Sequence, residues 1–257
     1  MITKTFEMRQ QVYDEGVLVL SALCSCLGQG IEPYVNTLGP YIVHGLKSKE
    51  PSLTRLSCGL VSDITTALQS NVRVHLDELV PQLIEMLEDK SGDKQVKLTA
   101  ITALGDLCMH GGSGFLKYTD KALNPLSRAI KVAGKTKEGL SEEQLVYYND
   151  LRNTLIECLT AILFGLGETG NSNKLLPYLE IIWTMLRTSV LPEVKPSLNM
   201  HRSVALLMGD LVSSFRAETK VLSQQDHVPY VVNVLSQTQN EEYIEAAKFL
   251  QEVITKT

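Results

Sequence analysis

Three aspartates interrupt apolar, helix-like runs: Asp63 in LVSDITTAL, Asp106 in ALGDLC and Asp210 in LLMGDLV. An unpaired carboxylate is costly in such surroundings. Asp150 and Glu157 stand in a fourth run, YYNDLRNTLIECLT. Carboxylates act as general acids and bases when they converge on one reacting atom. Asp63 and Asp106 are instead 43 residues apart. In a chain of stacked helix pairs that separation is one repeat, or about 10 Å. Such a series suits reading a long ligand better than catalysis, and the chain is expected not to be an enzyme.

The other reactive residue types build no site. The five histidines, His44, His75, His110, His201 and His227, are scattered and form no HExxH motif. The five cysteines, Cys24, Cys26, Cys58, Cys108 and Cys158, include no CxxC pair. All five fall in apolar helical patterns, where free cysteine behaves as a small hydrophobe, and Cys24 and Cys26 read as a pair of core thiols. An odd, unpaired set fits a reducing compartment. LGQG and GLGETG resemble glycine-rich loops, but no strand precedes them and no GKS/T follows. They read as helix ends, with Gly28 and Gly165 or Gly167 as caps. Trp183, in EIIWTMLRTS, reads as inter-helix packing. No metal or cofactor is expected.

Composition narrows what can position the aspartates. Apolar residues make up 44% of 257, enough for a substantial core, while aromatics make up only 6%. Long runs rich in Val, Ile, Thr and Tyr are missing, which argues against an all-β fold. No stretch approaches about 18 consecutive apolar residues, so no membrane insertion is expected. The formal charge is −5, from 24 basic and 29 acidic residues, and no Lys/Arg-rich block stands out. Nucleic acid is therefore not expected as a ligand.

A repeat supplies the positioning elements. Five prolines, Pro40, Pro81, Pro125, Pro177 and Pro229, recur at spacings of 41, 44, 52 and 52 residues, each in a helix-period segment. A proline costs a helix one backbone bond, so each is expected to kink or start its helix. A second helix rich in small apolar residues follows each. These second helices, with a sixth that opens the chain, place Ala22, Asp63, Asp106, Leu166 and Asp210 in register at spacings of 41, 43, 60 and 44. The long interval holds an insertion, KVAGKTKEGLSEEQLVYYND, in which Ser141 and Gln144 read as a capping box. Helix pairs of about 40–47 residues, the first member carrying a proline, follow the HEAT pattern. The expectation is an all-α fold, a right-handed α-α superhelix of about five pairs plus one leading unpaired helix. One solenoid would span 1–257, with a lone second helix at 1–29 and pairs at 30–70, 71–113, 114–168, 169–216 and 217–257. The unpaired first helix suggests a piece of a longer chain.

Three stretches carry a family resemblance: CGLVSDITTALQSN at 58–71, YYNDLRNTLIECLTAILFGLG at 147–167 and ALLMGDLV at 205–212. With them the chain resembles the carboxy-terminal portion of the importin-β (karyopherin-β) nuclear import receptors. That resemblance implies a superhelix whose second (B) helices line a concave face. There the basic importin-β-binding segment of importin-α, or basic cargo, would be held. It further implies Phe-Gly nucleoporin repeats bound between first (A) helices, with 74–90 and 115–133 as candidate grooves. Ran-GTP would release cargo, with only a partial Ran site here. Cytoplasm, nucleus and nuclear pore are the implied locations.

Two readings of Asp63, Asp106, Asp150, Glu157 and Asp210 stay open at this point. They could brace neighbouring helices, the aspartates pairing with Arg55, Lys97 or Arg202, or they could line a face for a basic ligand. The alternative to a transport receptor is a HEAT scaffold or regulatory subunit of another complex.

Overall fold

The structure, a computed structural model, describes residues 10–135 and 139–256. It is built from helices joined by short turns, and among the described residues there is no strand. It forms two compact units, one running to Leu126 and including Ala161–Asn171, the other Ser127–Thr160 with the stretch from Ser172 on.

In the first unit, helix α1 is Gln10–Leu27, α2 Glu32–Leu46, α3 Pro51–Leu68, α4 Leu76–Glu88 and α5 Lys94–Gly111. Helices α6 (Thr119–Ala133) and α7 (Glu142–Glu168) are shared between the units. The B helices α1, α3 and α5 pack side by side, α2 packs beside α4, and α2 and α4 pack on α3 and α5 respectively. One helix pair cannot cover its own apolar stripe, so each pair shares its core with the next. Leu60, Val61 and Ile64 of α3, Val80 and Leu83 of α4, and Ile101, Leu104 and Leu107 of α5 are all buried.

Close approach requires small residues at chosen points. A Cβ on Gly45 of α2 would lie 2.1 Å from the Ser57 hydroxyl oxygen of α3. Each B helix of the first unit ends on a residue with positive φ that turns the chain into a 3₁₀ segment. These residues are Gly28 (φ 50°), Gln69 (φ 50°) and Gly112 (φ 52°); Gly170 (φ 68°) does the same two residues after α7. The stretch Tyr13–Leu46 is apolar and long enough by composition to cross a membrane, but the turn at Gly28–Ile31 divides it into α1 and α2.

In the second unit, α8 is Leu179–Ser189, α9 Leu198–Ser214, α10 His227–Ser236 and α11 Glu241–Thr255. Helix α9 packs on α8, α10 and α11. Trp183, Met185, Leu207, Met208 and Leu250 form its core, so Trp183 packs between helices. The start of α7 carries the expected capping box: the Gln144 amide donates to the Ser141 hydroxyl (3.2 Å), and the Ser141 amide donates to Gln144 Oε1 (3.0 Å). Arg152, 1% exposed, ties α7 to the end of α6. Its Nε donates to the Ala133 carbonyl at 3.0 Å and its Nη1 to Asn149 Oδ1 at 2.9 Å.

The prolines divide into two groups. Pro40, Pro81 and Pro125 lie inside α2, α4 and α6. Pro177 belongs to the 3₁₀ turn before α8, and Pro229 is third in α10. Two expectations from the sequence need correction. Gly165 is inside α7 and not at its end, because a helix also uses glycine where another backbone touches it, while Gly167 is in the last turn and the left-handed residue is Gly170 beyond it. Cys26 is exposed while Cys24, Cys58, Cys108 and Cys158 are buried, so Cys24 and Cys26 are not a core pair. Residues 136–138 of the insertion lie outside the described residues.

Candidate protein-binding face

The B helices position the acidic residues. Asp63 on α3 and Asp106 on α5 are both half-buried, at corresponding places on two packed helices. Their register follows from the repeat period, which puts residues 43 apart on neighbouring B helices in the same rotational setting. Burial holds the Asp106 carboxyl above the usual carboxylate range. A hydrogen bond from the Ser62 side chain and the nearby His110 pull it back, and the charge of Asp63 adds to the rise. The two carboxylates thus share one acidic spot in the first unit.

Asp210, half-buried on α9, is also raised, by burial alone. Asp150 and Glu157 are exposed, two turns apart on α7. The five acids therefore do not converge on one atom. Within the first unit Asp63 and Asp106 come together; Asp150, Glu157 and Asp210 belong to the second.

The bracing reading asks for bonds to a neighbouring helix or for a ladder with Arg55, Lys97 or Arg202, and the Ser62–Asp106 bond between α3 and α5 is one such brace. Among the described residues, no ion pair joins Asp63, Asp106, Asp150 or Asp210 to Arg55, Lys97 or Arg202. Arg202 Nε instead approaches Glu242 Oε2 at 3.9 Å. Lys117 pairs with Asp77 at 2.5 Å, and the Tyr118 hydroxyl donates to the same carboxylate. Asp106 is thus tied to α3 by Ser62 and has His110 nearby, while no Lys or Arg forms an ion pair with Asp63, Asp106 or Asp210 among the described residues. Among the described residues, no group of three or more potential ligands could hold a metal ion.

Two features escaped the sequence reading. Met109 of α5 and Phe164 of α7 are exposed, at 37% and 52%. Both were legible in principle. Met109 follows Asp106 by three residues, on the stripe of Gln95, Thr99 and Thr102. Phe164 continues the stripe of Asn149, Asn153, Glu157 and Thr160. An apolar residue on a polar stripe is a surface residue. The second feature is a cavity of about 560 Å³ between the end of α8 and the start of α10. Arg187, Val190, Leu191, Pro192, His227 and Tyr230 are among its lining residues. His227 is held neutral, its pKa pushed down to about 4 by burial and then by Arg187, with Asp226 opposing. Its ring meets Trp183 edge-on, with 6.2 Å between centroids.

Stacked helix pairs, a shared core and a polar face repeated along the B helices define a HEAT-type repeat protein, a class that binds extended partners along its surface. A family model described as importin subunit beta-1-like, TPR repeats, matches residues 1–238, and the chain belongs to this family. Importin subunit beta-1 of Schizosaccharomyces pombe is 24% identical over 233 residues, covering 90% of this chain and 26% of that protein. The chain spans between 23% and 28% of the length of the curated importin beta-1 relatives it matches. Among solved structures, the Kap95:Nup1 complex aligns with a TM-score of 0.86 at 21% identity, over 100% of this chain and 30% of that one. Kap95p, solved with RanGDP, aligns with a TM-score of 0.82 at 21% identity, over 98% and 30%. At these identities the structures establish the fold.

Proposed function

We propose that this chain is a segment of a nuclear transport receptor whose B-helix face holds a basic segment of importin-α or of cargo. Asp63 and Asp106 contribute charge in the first unit, and Asp150, Glu157 and Asp210 contribute in the second. The observation that carries this reading is the pair of half-buried carboxylates that share one spot on α3 and α5, with no Lys or Arg in an ion pair with either among the described residues. Burial makes a carboxylate a stronger partner for an incoming Lys or Arg, and a series of such contacts steers association.

Nucleoporin Phe-Gly repeats would dock on the A-helix side. The cavity between α8 and α10, with Val190, Leu191, Pro192 and Tyr230 in its lining, offers a phenyl ring an apolar seat. Likeness to Kap95 structures solved with Nup1 and with RanGDP supports the nucleoporin part and contact with Ran, and cargo release by Ran-GTP is the remaining part of the proposal. Such a segment works in cytoplasm and nucleus and at the pore between them.

The test is binding of a Lys/Arg-rich importin-α amino-terminal peptide to this chain and to the receptor that contains it. Asp63→Lys with Asp106→Lys should weaken it several-fold, and the loss should shrink as salt rises. Unchanged affinity at low salt sinks the acidic-face reading. Retention on an immobilised Phe-Gly peptide separates a transport segment from a HEAT scaffold of another complex, which should pass through.

A further inference from the structure

Helices α5 and α7 meet backbone to backbone. A Cβ on Gly165 would lie 2.4 Å from the Cys108 carbonyl oxygen and 3.0 Å from the Met109 Cα. That approach sets the chain at 108–109 directly against the chain at 164–165. Met109 and Phe164, flanking the contact, are both exposed, although their neighbours Cys108 and Gly165 are buried. A thioether and a phenyl ring exposed on either side of one backbone contact offer apolar surface that gains when a partner covers it.

The surroundings say which partner. Met109 is three residues from Asp106 on the same side of α5, and Asp63 stands on the adjacent helix. No ion pair engages either carboxylate among the described residues. Exposed apolar side chains bordered by carboxylates that no Lys or Arg engages complement a segment that presents a bulky apolar side chain between cations. A purely basic segment would leave the apolar side chains wet, and a purely apolar one would bury the carboxylates with no Lys or Arg beside them.

We propose that Met109 and Phe164 form an anchor site for one large aliphatic or aromatic residue flanked by Lys or Arg in a partner's helical segment. This rests on the acidic-face reading above and adds to it a hydrophobic specificity that charge alone does not give.

The experiment uses the full chain and two synthetic Lys/Arg-rich helical peptides of equal charge, one with Leu at its centre and one with Ala. The wild type is expected to bind the Leu peptide about tenfold more tightly, the size of effect a buried anchor gives. Met109→Ala with Phe164→Ala should reduce that preference to about twofold or less. Val221→Ala, a 75% exposed residue of the second unit, should leave the preference intact. Both positions of the double variant are on the surface, and matching thermal melts confirm its fold. If the double variant keeps the wild-type preference while Asp63→Lys with Asp106→Lys still weakens both peptides, the anchor is overturned and the acidic face stands. If neither peptide binds the wild type, both readings fall.

Discussion

Asp106 of α5 and Asp63 of α3 stand close enough for the charge of one to oppose ionisation of the other. The larger cause of the raised Asp106 pKa is burial, which penalises the charged form. A carboxyl whose folded pKa lies above its unfolded value binds its proton more tightly in the native state. Its contribution to stability is fully present below the ordinary Asp pKa and is lost as pH rises through the folded value. At neutral pH Asp106 therefore costs stability. Asp106→Asn, which can still accept from Ser62, should raise the melting temperature at pH 7 by a degree or two at most. The gain should vanish below about pH 4, the ordinary range of an unfolded Asp. The same variant should bind a basic peptide less well, and stability gained with binding lost marks a residue retained for its partner.

His227 runs the opposite way. Its pKa is pushed down to about 4 by burial, with Arg187 adding to the shift. A depressed histidine contributes stability that is present above the unfolded value and lost as pH falls through the folded one. Acidification from about pH 6.5 to pH 4 should progressively destabilise the chain through this side chain. Thermal melts between those pH values measure it. His227→Gln should flatten the profile there, and an equally steep profile in the variant would rule out His227 as the cause.

Gly165 is a packing residue. A Cβ there would meet the Cys108 carbonyl oxygen at 2.4 Å and the Met109 Cα at 3.0 Å, backbone atoms that no side-chain rotation can move. Gly165→Ala should therefore push α5 from α7 and cost about 2 kcal/mol or more, as overpacking does. It should also reduce the Leu-over-Ala peptide preference, since Met109 and Phe164 flank the same contact. Gly167→Ala, on the exposed side of α7, is the comparison and should be nearly neutral or mildly stabilising. Denaturant midpoints of the two variants decide between them.

Much of this arrangement was legible in the residues. The proline period and the register of Asp63, Asp106 and Asp210 pointed to paired helices, because each pair must repeat the pattern that buries its stripe. The Ser141–Gln144 box was readable because capping is local and needs only those two side chains. Gly165 was not, since a glycine that ends a helix and one that admits a neighbouring backbone look alike until the neighbour is known. Here the left-handed residue is Gly170. Phe164 was passed over because an apolar residue in an amphipathic helix reads as core by default. Its place on a polar stripe was the contrary signal. The cavity at His227 joins α8 to a turn nearly forty residues further on, a tertiary feature that no local pattern encodes.

Gln69 closes α3 with φ 50° and ψ −128°, a conformation that a Cβ disfavours and glycine adopts freely. The corresponding position after α5 is Gly112, with φ 52° and ψ −137°, and the one after α1 is Gly28, with φ 50°, so of the three such turns in the first unit Gln69 stands at the one without glycine. The Gln69 side chain is exposed, and removing it empties no core. Gln69→Gly exchanges backbone strain in the native state for some extra freedom in the unfolded one. The strain is the larger of the two at this φ and ψ, and the variant should be more stable by about 1 kcal/mol. Gln69→Ala keeps the Cβ and should gain nothing. Equal midpoints for the Gly and Ala variants in urea would show that the turn carries no strain, whereas a gain confined to glycine ties it to the backbone at this position.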